Sequence, residues 1–282
     1  MKNKKHTSAN TKTKPCIGIL GAGNMGEALI AGLVDSGYNV VATTKSPDSA
    51  QVISKKLGII CHTNNGTLAK VCDVIIICVK PHQIKEACAS IAKQLAATGT
   101  RQKLVISIAA GVTILDLKAM LGSKAAILRA MPNTPAMIRK GITVIASSGH
   151  PETALGEHLN VAHEIFSCVG QAIQLEESLL DGVTGLSGCG PAYVFVIIEA
   201  LAEAGVKVGL PRKAATLLAA QTLMGAAQMV LDRGEHPAAL KDEVTTPAGC
   251  TIDGLMALEE GKLRVTLIKA VLAATERSRS LK

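Results

Sequence analysis

The sequence predicts an α/β chain in two parts, a doubly wound parallel sheet followed by an all-α region. Three observations predict it. From Cys16 onward short β-like runs alternate with helical stretches, the pattern of strands that pair in parallel through crossover helices. After about Glu176 the strand-like runs stop and helical stretches alone continue. Apolar residues make up 48% of the chain, yet Tyr38, Phe166, Tyr193 and Phe195 are its only aromatics. A core of Ala, Val, Ile and Leu suits helices packed closely on a parallel sheet.

The strand-like runs are CIGIL (16–20), NVVAT (39–43), VIIICV (74–79) and KLVIS (103–107), with weaker ones near 126–130 and 142–146. Helical segments begin near Asn24, Pro47, Pro81 and Thr113. In the second part helices are predicted over Pro191–Val206, Pro211–Arg233, a short stretch from Pro237, Thr251–Glu260, and Lys262 to the end. Three of these have proline at or near the first turn, where its missing N–H costs nothing. The expected boundaries are a disordered basic tail over 1–15, a dinucleotide-binding domain over 16–176 and a helical domain over 177–282. Within Ala214–Leu231 small and apolar residues occur on every face. Such a helix is normally buried on all sides, and a domain of this size can hardly enclose it alone. A homo-oligomer is therefore expected, with the helical domain as its dimerisation domain.

The formal net charge is +8, but Lys2, Lys4, Lys5, Lys12 and Lys14 lie in a polar tail without acidic residues, leaving +3 elsewhere. A solvated tail explains this charge without a polyanion. The rest lacks the aromatic platforms that single-strand binders use, so no nucleic-acid partner is expected. The tail has neither the apolar core of a secretory signal nor the arginines of a transit peptide. No uninterrupted apolar run approaches the ~18 residues that cross a bilayer; the best, Ala192–Leu201, contains Glu199. Eight cysteines form no C-x-x-C pair, and Cys16, Cys72 and Cys78 sit in or beside apolar runs as small hydrophobes. A reducing, cytoplasmic setting without a membrane follows. The seven histidines show no ligand spacing, so no metal is expected.

Gly21-Ala22-Gly23-Asn24-Met25-Gly26 follows a strand and opens a helix. This is the Rossmann-type fingerprint: the first glycine permits a tight turn, the second a close backbone approach to a pyrophosphate, the third close helix–strand contact. The helix N-terminus then faces the phosphates. An NAD site usually has Asp or Glu at the end of the second strand. Here Thr43-Thr44-Lys45-Ser46-Pro47 puts no carboxylate before Asp48. Hydroxyls and a lysine suit a 2′-phosphate, so NADPH is the expected cofactor and NADH a weaker alternative.

Two segments of the helical part read as ligand loops. Gly185-Leu186-Ser187-Gly188-Cys189-Gly190-Pro191 is a flexible lead-in to a helix. Thr245-Thr246-Pro247-Ala248-Gly249-Cys250-Thr251 also runs into a helix and can offer N–H groups and hydroxyls to a carboxylate. An ordinary helix start capped by Thr251 fits its spacing equally well.

Together these residues resemble pyrroline-5-carboxylate reductases, through GAGNMG at 21–26, VKP at 79–81, SIAAGV at 107–112, MPNTPA at 131–136, TGLSGCGPAY at 184–193 and DEVTTPAGCTIDGL at 242–255. The resemblance runs from about Cys16 to the end and implies NADPH-dependent reduction of the imine Δ1-pyrroline-5-carboxylate to L-proline. It implies cofactor contacts from Leu20, Gly21, Ala22, Gly23, Asn24 and Met25, and from Ser46 and Asn65. Cys78, Val79, Lys80 and Pro81 with Ile108, Ala109 and Ala110 would line the nicotinamide side. Thr246, Gly249, Cys250 and Thr251 would hold the substrate carboxylate, Glu177 would lie near the substrate, and the Thr251 hydroxyl would lie close to the ring nitrogen as the catalytic group. It also implies a homodimer, open to assembly into a decamer. Many relatives carry Ser-Ser-Pro-Gly-Gly-Ala where this chain has Thr-Thr-Pro-Ala-Gly-Cys; the hydroxyls survive. The nearest rival, a β-hydroxyacid dehydrogenase, needs a lysine where alignment on Gly185, Gly188 and Gly190 puts Val194.

Overall fold

The computed structural model describes residues 14–97, 102–147 and 156–281. Its residues fall into two compact units, one running up to Asp181 and the other Gly182–Ser278. The division lies a few residues beyond the 176/177 boundary expected from the sequence. Of the expected tail, residues 1–13 lie outside the described residues. Lys14 is seated on the fold: its ammonium donates to the Ser36 carbonyl and stands 4.5 Å from the centre of the Tyr38 ring.

The first unit is an eight-stranded sheet. Its strands are β1 Ile17–Leu20, β2 Val40–Thr43, β3 Ile60–His62, β4 Val74–Ile77, β5 Lys103–Ser107, β6 Ala125–Met131, β7 Gly141–Ala146 and β8 Gly170–Gln174. They lie in the order β3-β2-β1-β4-β5-β6-β7-β8. Every pairing is parallel except β6 with β7. The sheet is thus parallel in the main, as expected from the sequence, with one antiparallel pairing. Only the short connection through Thr134–Ile138 joins β6 to β7, and a parallel return would need a crossover of a dozen residues or more.

Helices α1 Asn24–Asp35, α2 Pro47–Leu57, α3 Gly66–Val71, α4 Ile84–Ala96, α5 Ile114–Leu121 and α6 Gly156–Ser167 cover the sheet. Alternate strand residues face opposite ways, which divides the core in two. Ile17, Ile19, Ile76 and Ile106 cluster with Leu29 and Leu33 of α1 and Ile165 and Phe166 of α6. Ile75, Ile77 and Val105 cluster with Leu68 of α3, Ile91 and Leu95 of α4 and Leu117 of α5. Each fully buried side chain of this kind contributes roughly 1.5–3 kcal/mol. Cys72 and Cys88 are buried among them, where burial pushes the Cys88 thiol up to about 11.

The second unit is helical: the end of α7 Leu180–Val183, a π-turn Thr184–Gly188, α8 Gly190–Lys207, α9 Arg212–Arg233, α10 Pro237–Val244, α11 Cys250–Glu260 and α12 Leu263–Arg279. Its α8–α9 core is small, with Ala202, Ala215 and Ala219 the buried apolar residues of the cluster. Phe195, Val196, Leu217, Leu218 and Met224 are exposed. The run-based expectation about membranes is corrected here. The continuous helical run Glu177–Lys207 and α9 are both long and apolar enough, by length and composition, to cross a bilayer. Scattered small residues hide this from a search for uninterrupted apolar runs.

Candidate active site

The carboxyl edge of five neighbouring parallel strands collects every segment expected to meet the dinucleotide. Chain direction across the sheet reverses between β1 and β4, and sheets of this kind bind ligands outside the strand ends at that switch point. Leu20–Met25 fall at and after the end of β1, Ser46 follows β2, Asn65 follows β3, Cys78–Pro81 follow β4 and Ile108–Ala110 follow β5. The strand ends tie these loops down. Gly21 and Ala22 donate to the Thr43 carbonyl at 3.1 and 2.9 Å, Cys78 to Leu20 at 2.8 Å, and Ile108 to Ile77 at 3.2 Å.

The three fingerprint glycines have separate reasons. Gly21 has φ +97°, and a Cβ there would lie 2.8 Å from Val79 Cγ1. At Gly26 a Cβ would lie 2.4 Å from the Gly21 carbonyl oxygen. Gly23 is different: its φ of −85° and ψ of −167° are open to any residue, and beyond its chain neighbours a Cβ would meet nothing within 4 Å. The fold does not require this glycine. What it leaves open is the space before the first turn of α1, which has no side-chain cap and whose amides have no intrahelical acceptor. A pyrophosphate fits that space and that partial charge.

At the end of β2 the Thr44 hydroxyl donates to the Ser46 carbonyl at 3.1 Å, and Ser46 Oγ caps α2 by accepting from the Ser49 N–H at 3.3 Å. Lys45 is exposed beside them. Among the described residues, two buried side-chain polar atoms lack a hydrogen-bond partner, Thr43 Oγ1 and His62 Nδ1. They sit on directly paired residues at the ends of β2 and β3, next to the place expected for the adenosine half. Buried orphans of this kind normally find a partner in water or ligand, so the local chemistry fits a nucleotide. Asn65 Nδ2 donates to Ser90 Oγ at 3.0 Å, which leaves its carbonyl oxygen for another donor.

After β4, Cys78 is half-buried, its thiol pushed up by burial, and Pro81 opens a 3-10 turn, Pro81–Gln83. Lys80 is exposed, and its N–H donates to Gln83 Oε1 at 3.3 Å. After β5, the Ala109 N–H donates to Ser107 Oγ at 3.3 Å, and Gly111 has φ +75°. The loop ends in a capping box between Thr113 and Asp116 at the start of α5. Glu177 lies against this same end: its Oε1 accepts from the Ile114 N–H at 2.7 Å and from Arg129 Nη1 at 2.9 Å. Sequence reasoning missed Arg129. A lone charge inside the apolar run Ala125–Met131 was the available signal.

In the helical unit, the loop from α10 to α11 is drawn tight. Gly249 donates to the Thr246 carbonyl at 3.0 Å, and a Cβ on Gly249 would lie 2.4 Å from Thr246 Oγ1. The N-cap of α11 is Gly249, with no side-chain bond to the helix. The alternative of Thr251 as N-cap is therefore corrected. Thr251 lies in the first turn, and its hydroxyl donates back to the Val244 carbonyl at 3.3 Å. The first-turn amides of Cys250 and Thr251 have no intrahelical acceptor. Gly185–Pro191 is corrected too: it is no flexible loop, because Thr184–Gly188 forms a π-turn that continues into α8. A Cβ on Gly185 would lie 2.3 Å from Thr275 Oγ1, and the Tyr193 hydroxyl donates to the Gly185 carbonyl at 3.2 Å.

Two family models match the chain: "NADP oxidoreductase coenzyme F420-dependent" over residues 16–111, and "Pyrroline-5-carboxylate reductase dimerisation" over residues 177–281. A pyrroline-5-carboxylate reductase of Methanosarcina acetivorans is 42% identical over 269 residues, 94% of this chain and 97% of its own. The chain belongs to the pyrroline-5-carboxylate reductase family. Two solved reductases share its structure. That of Coxiella burnetii has a TM-score of 0.86 at 37% identity, covering 95% of this chain and 99% of its own. That of Plasmodium falciparum, with NADP bound, has a TM-score of 0.82 at 32% identity, covering 95% and 98%.

The loop between α10 and α11 carries one residue in an unusual backbone conformation. Ala248 occupies a position with φ +57°, the left-handed region that glycine adopts freely and alanine does not. The tight turn is thus kept at some cost in backbone energy.

Proposed function

We propose that this chain reduces Δ1-pyrroline-5-carboxylate to L-proline with NADPH, the last step of proline biosynthesis, as a cytoplasmic homodimer. NADPH is preferred to NADH. The observation that carries the cofactor half is Gly23, a glycine that the fold itself does not need, fronting an uncapped helix. Family membership supplies the substrate.

Leu20–Met25 hold the pyrophosphate, and Thr44, Lys45 and Ser46 with Asn65 take the adenosine half. Cys78–Pro81 and Ile108–Ala110 flank the nicotinamide, which supplies a hydride when bound. The Thr246 hydroxyl and the first-turn amides of Cys250 and Thr251 hold the substrate carboxylate against the positive end of α11. The imine carbon accepts the hydride as the C=N electrons move onto the ring nitrogen. A protonated imine needs orientation more than an acid. An unprotonated one takes a proton from water relayed through the Thr251 hydroxyl, which gives its own proton to the ring nitrogen and regains one from the water, leaving hydroxide to the solvent. The bond of that hydroxyl to Val244, at 3.3 Å, is long and easily exchanged. The exposed apolar residues of α8 and α9 form the surface that a second copy covers.

The test is the purified protein with NADPH and pyrroline-5-carboxylate, followed at the absorbance of the reduced nicotinamide. Oxidation that needs both, with proline as product, is expected. NADPH binding without turnover of this imine would refute the substrate assignment.

A further inference from the structure

We propose that Arg129 and Glu177 form a positioning clamp that sets the loop after β5 for hydride transfer. The inference rests on the reading that Ile108–Ala110 flank the nicotinamide.

Arg129 is 5% exposed, between the buried Leu128 and Ala130 of β6. A buried guanidinium is strongly destabilising without its counter-charge, so Glu177 is held where Oε1 meets Nη1 at 2.9 Å. The same oxygen accepts from Ile114 N–H at 2.7 Å, the first residue of α5. The reciprocal capping box of Thr113 and Asp116 satisfies the amides of those two residues only, so Glu177 takes a first-turn amide that the box leaves over. What it adds is a tie across 63 residues of sequence, between the far end of the loop and the turn that follows β8. The near end is fixed by Ile108 to the Ile77 carbonyl and by Ala109 to Ser107 Oγ. Between the two anchors stands Gly111 at φ +75°, a natural pivot. Ile108 and Ala109 are held by the near anchor alone; with the far end released, Gly111 and the residues after it could swing, and with Glu177 in place they and the adjoining Ala110 stay in one position. As a positioning pair, Arg129 and Glu177 act through the loop, apart from the place near the substrate that the family resemblance implies for Glu177.

Glu177→Gln preserves shape but turns both charge-assisted hydrogen bonds into weaker neutral-acceptor ones. In the full-length protein, single-turnover hydride transfer per NADPH site should slow by about tenfold or more. Binding of 2′,5′-ADP, which lacks the nicotinamide, should stay within about twofold. The pair Arg129→Met with Glu177→Leu removes both charges and should recover the thermal stability lost by either change alone. A clamp predicts that transfer stays slow in the pair, because the Ile114 amide still lacks its acceptor. Transfer that recovers with the melting temperature, or a rate within about twofold of normal in Glu177→Gln, overturns the proposal. Ala110→Val separates the clamp from the reading beneath it. If that branch leaves NADPH affinity and transfer unchanged, the loop does not flank the nicotinamide and both ideas fall. If it impairs them while Glu177→Gln is silent, the clamp alone is wrong.

Discussion

Gly23→Ala adds one methyl group where the folded chain has room for it, since nothing beyond its chain neighbours lies within 4 Å of the place a Cβ would take and the dihedrals suit any L-residue. Folding should be unchanged or favoured by about 0.4–1 kcal/mol, the usual gain when alanine replaces glycine at a compatible site. The melting temperature should hold or rise by up to about 4 °C. NADPH should suffer, because the methyl stands before the first-turn amides of α1. Losing one charge-assisted hydrogen bond to a phosphate costs roughly 1.5–3 kcal/mol, or about a ten- to 150-fold weaker Kd. Thermal melting by circular dichroism and titration by NADPH fluorescence read the two effects separately. Gly26→Ala is the control: its Cβ would lie 2.4 Å from a backbone oxygen, so it should melt markedly lower. Unchanged NADPH affinity in Gly23→Ala would show that no pyrophosphate lies there, and a fall in melting temperature as large as that of Gly26→Ala would show that the space is not open.

Ala248→Gly should relieve a left-handed alanine of about 1–2 kcal/mol against an entropic cost of about 0.5–1 kcal/mol, raising the melting temperature by up to about 4 °C with kcat/KM retained; a lower melting temperature would contradict the strain argument. Thr251→Val should lower kcat/KM about ten- to a hundredfold while NADPH affinity and melting stay near normal, because Gly249 and not Thr251 caps α11; full activity would remove the catalytic assignment. Ser46→Asp keeps a good cap for α2 and sets a negative charge beside the 2′-phosphate, so steady-state assays should show NADPH weakened more than NADH. Equal or better turnover with NADH in the unaltered protein would sink the NADP assignment.

Strands that bury both faces were legible because they read as continuous apolar runs: IGIL and VIII are buried at every position. β3 and β8 were not, for β3 has three residues and none buried, and GQAIQ of β8 buries Ala172 alone. Neither leaves an apolar signature long enough to see. The helix starts at Asn24, Pro47 and Pro237 were legible through glycine and proline. The π-turn was not, because its glycines look like a loop unless the demand of Thr275 and Val271 on Gly185 is known. Of the expected cofactor segments, the glycine fingerprint and the end of β2 were readable from the residues themselves, while Asn65, Cys78–Pro81 and Ile108–Ala110 came only through the resemblance to the family. Arg129 with Glu177 was not legible, since nothing local in sequence reports a partner 48 residues away.

The small α8–α9 core of three alanines has a consequence for mixed populations of subunits. If, as proposed, a second copy completes that unit, its stability depends on how much of the protein is present, because association favours the folded form by mass action. Dilution should then lower the melting temperature of the helical unit before it touches the sheet. A poorly folding subunit would not fail in isolation. Made beside a sound one, it would draw the sound subunit into a defective pair.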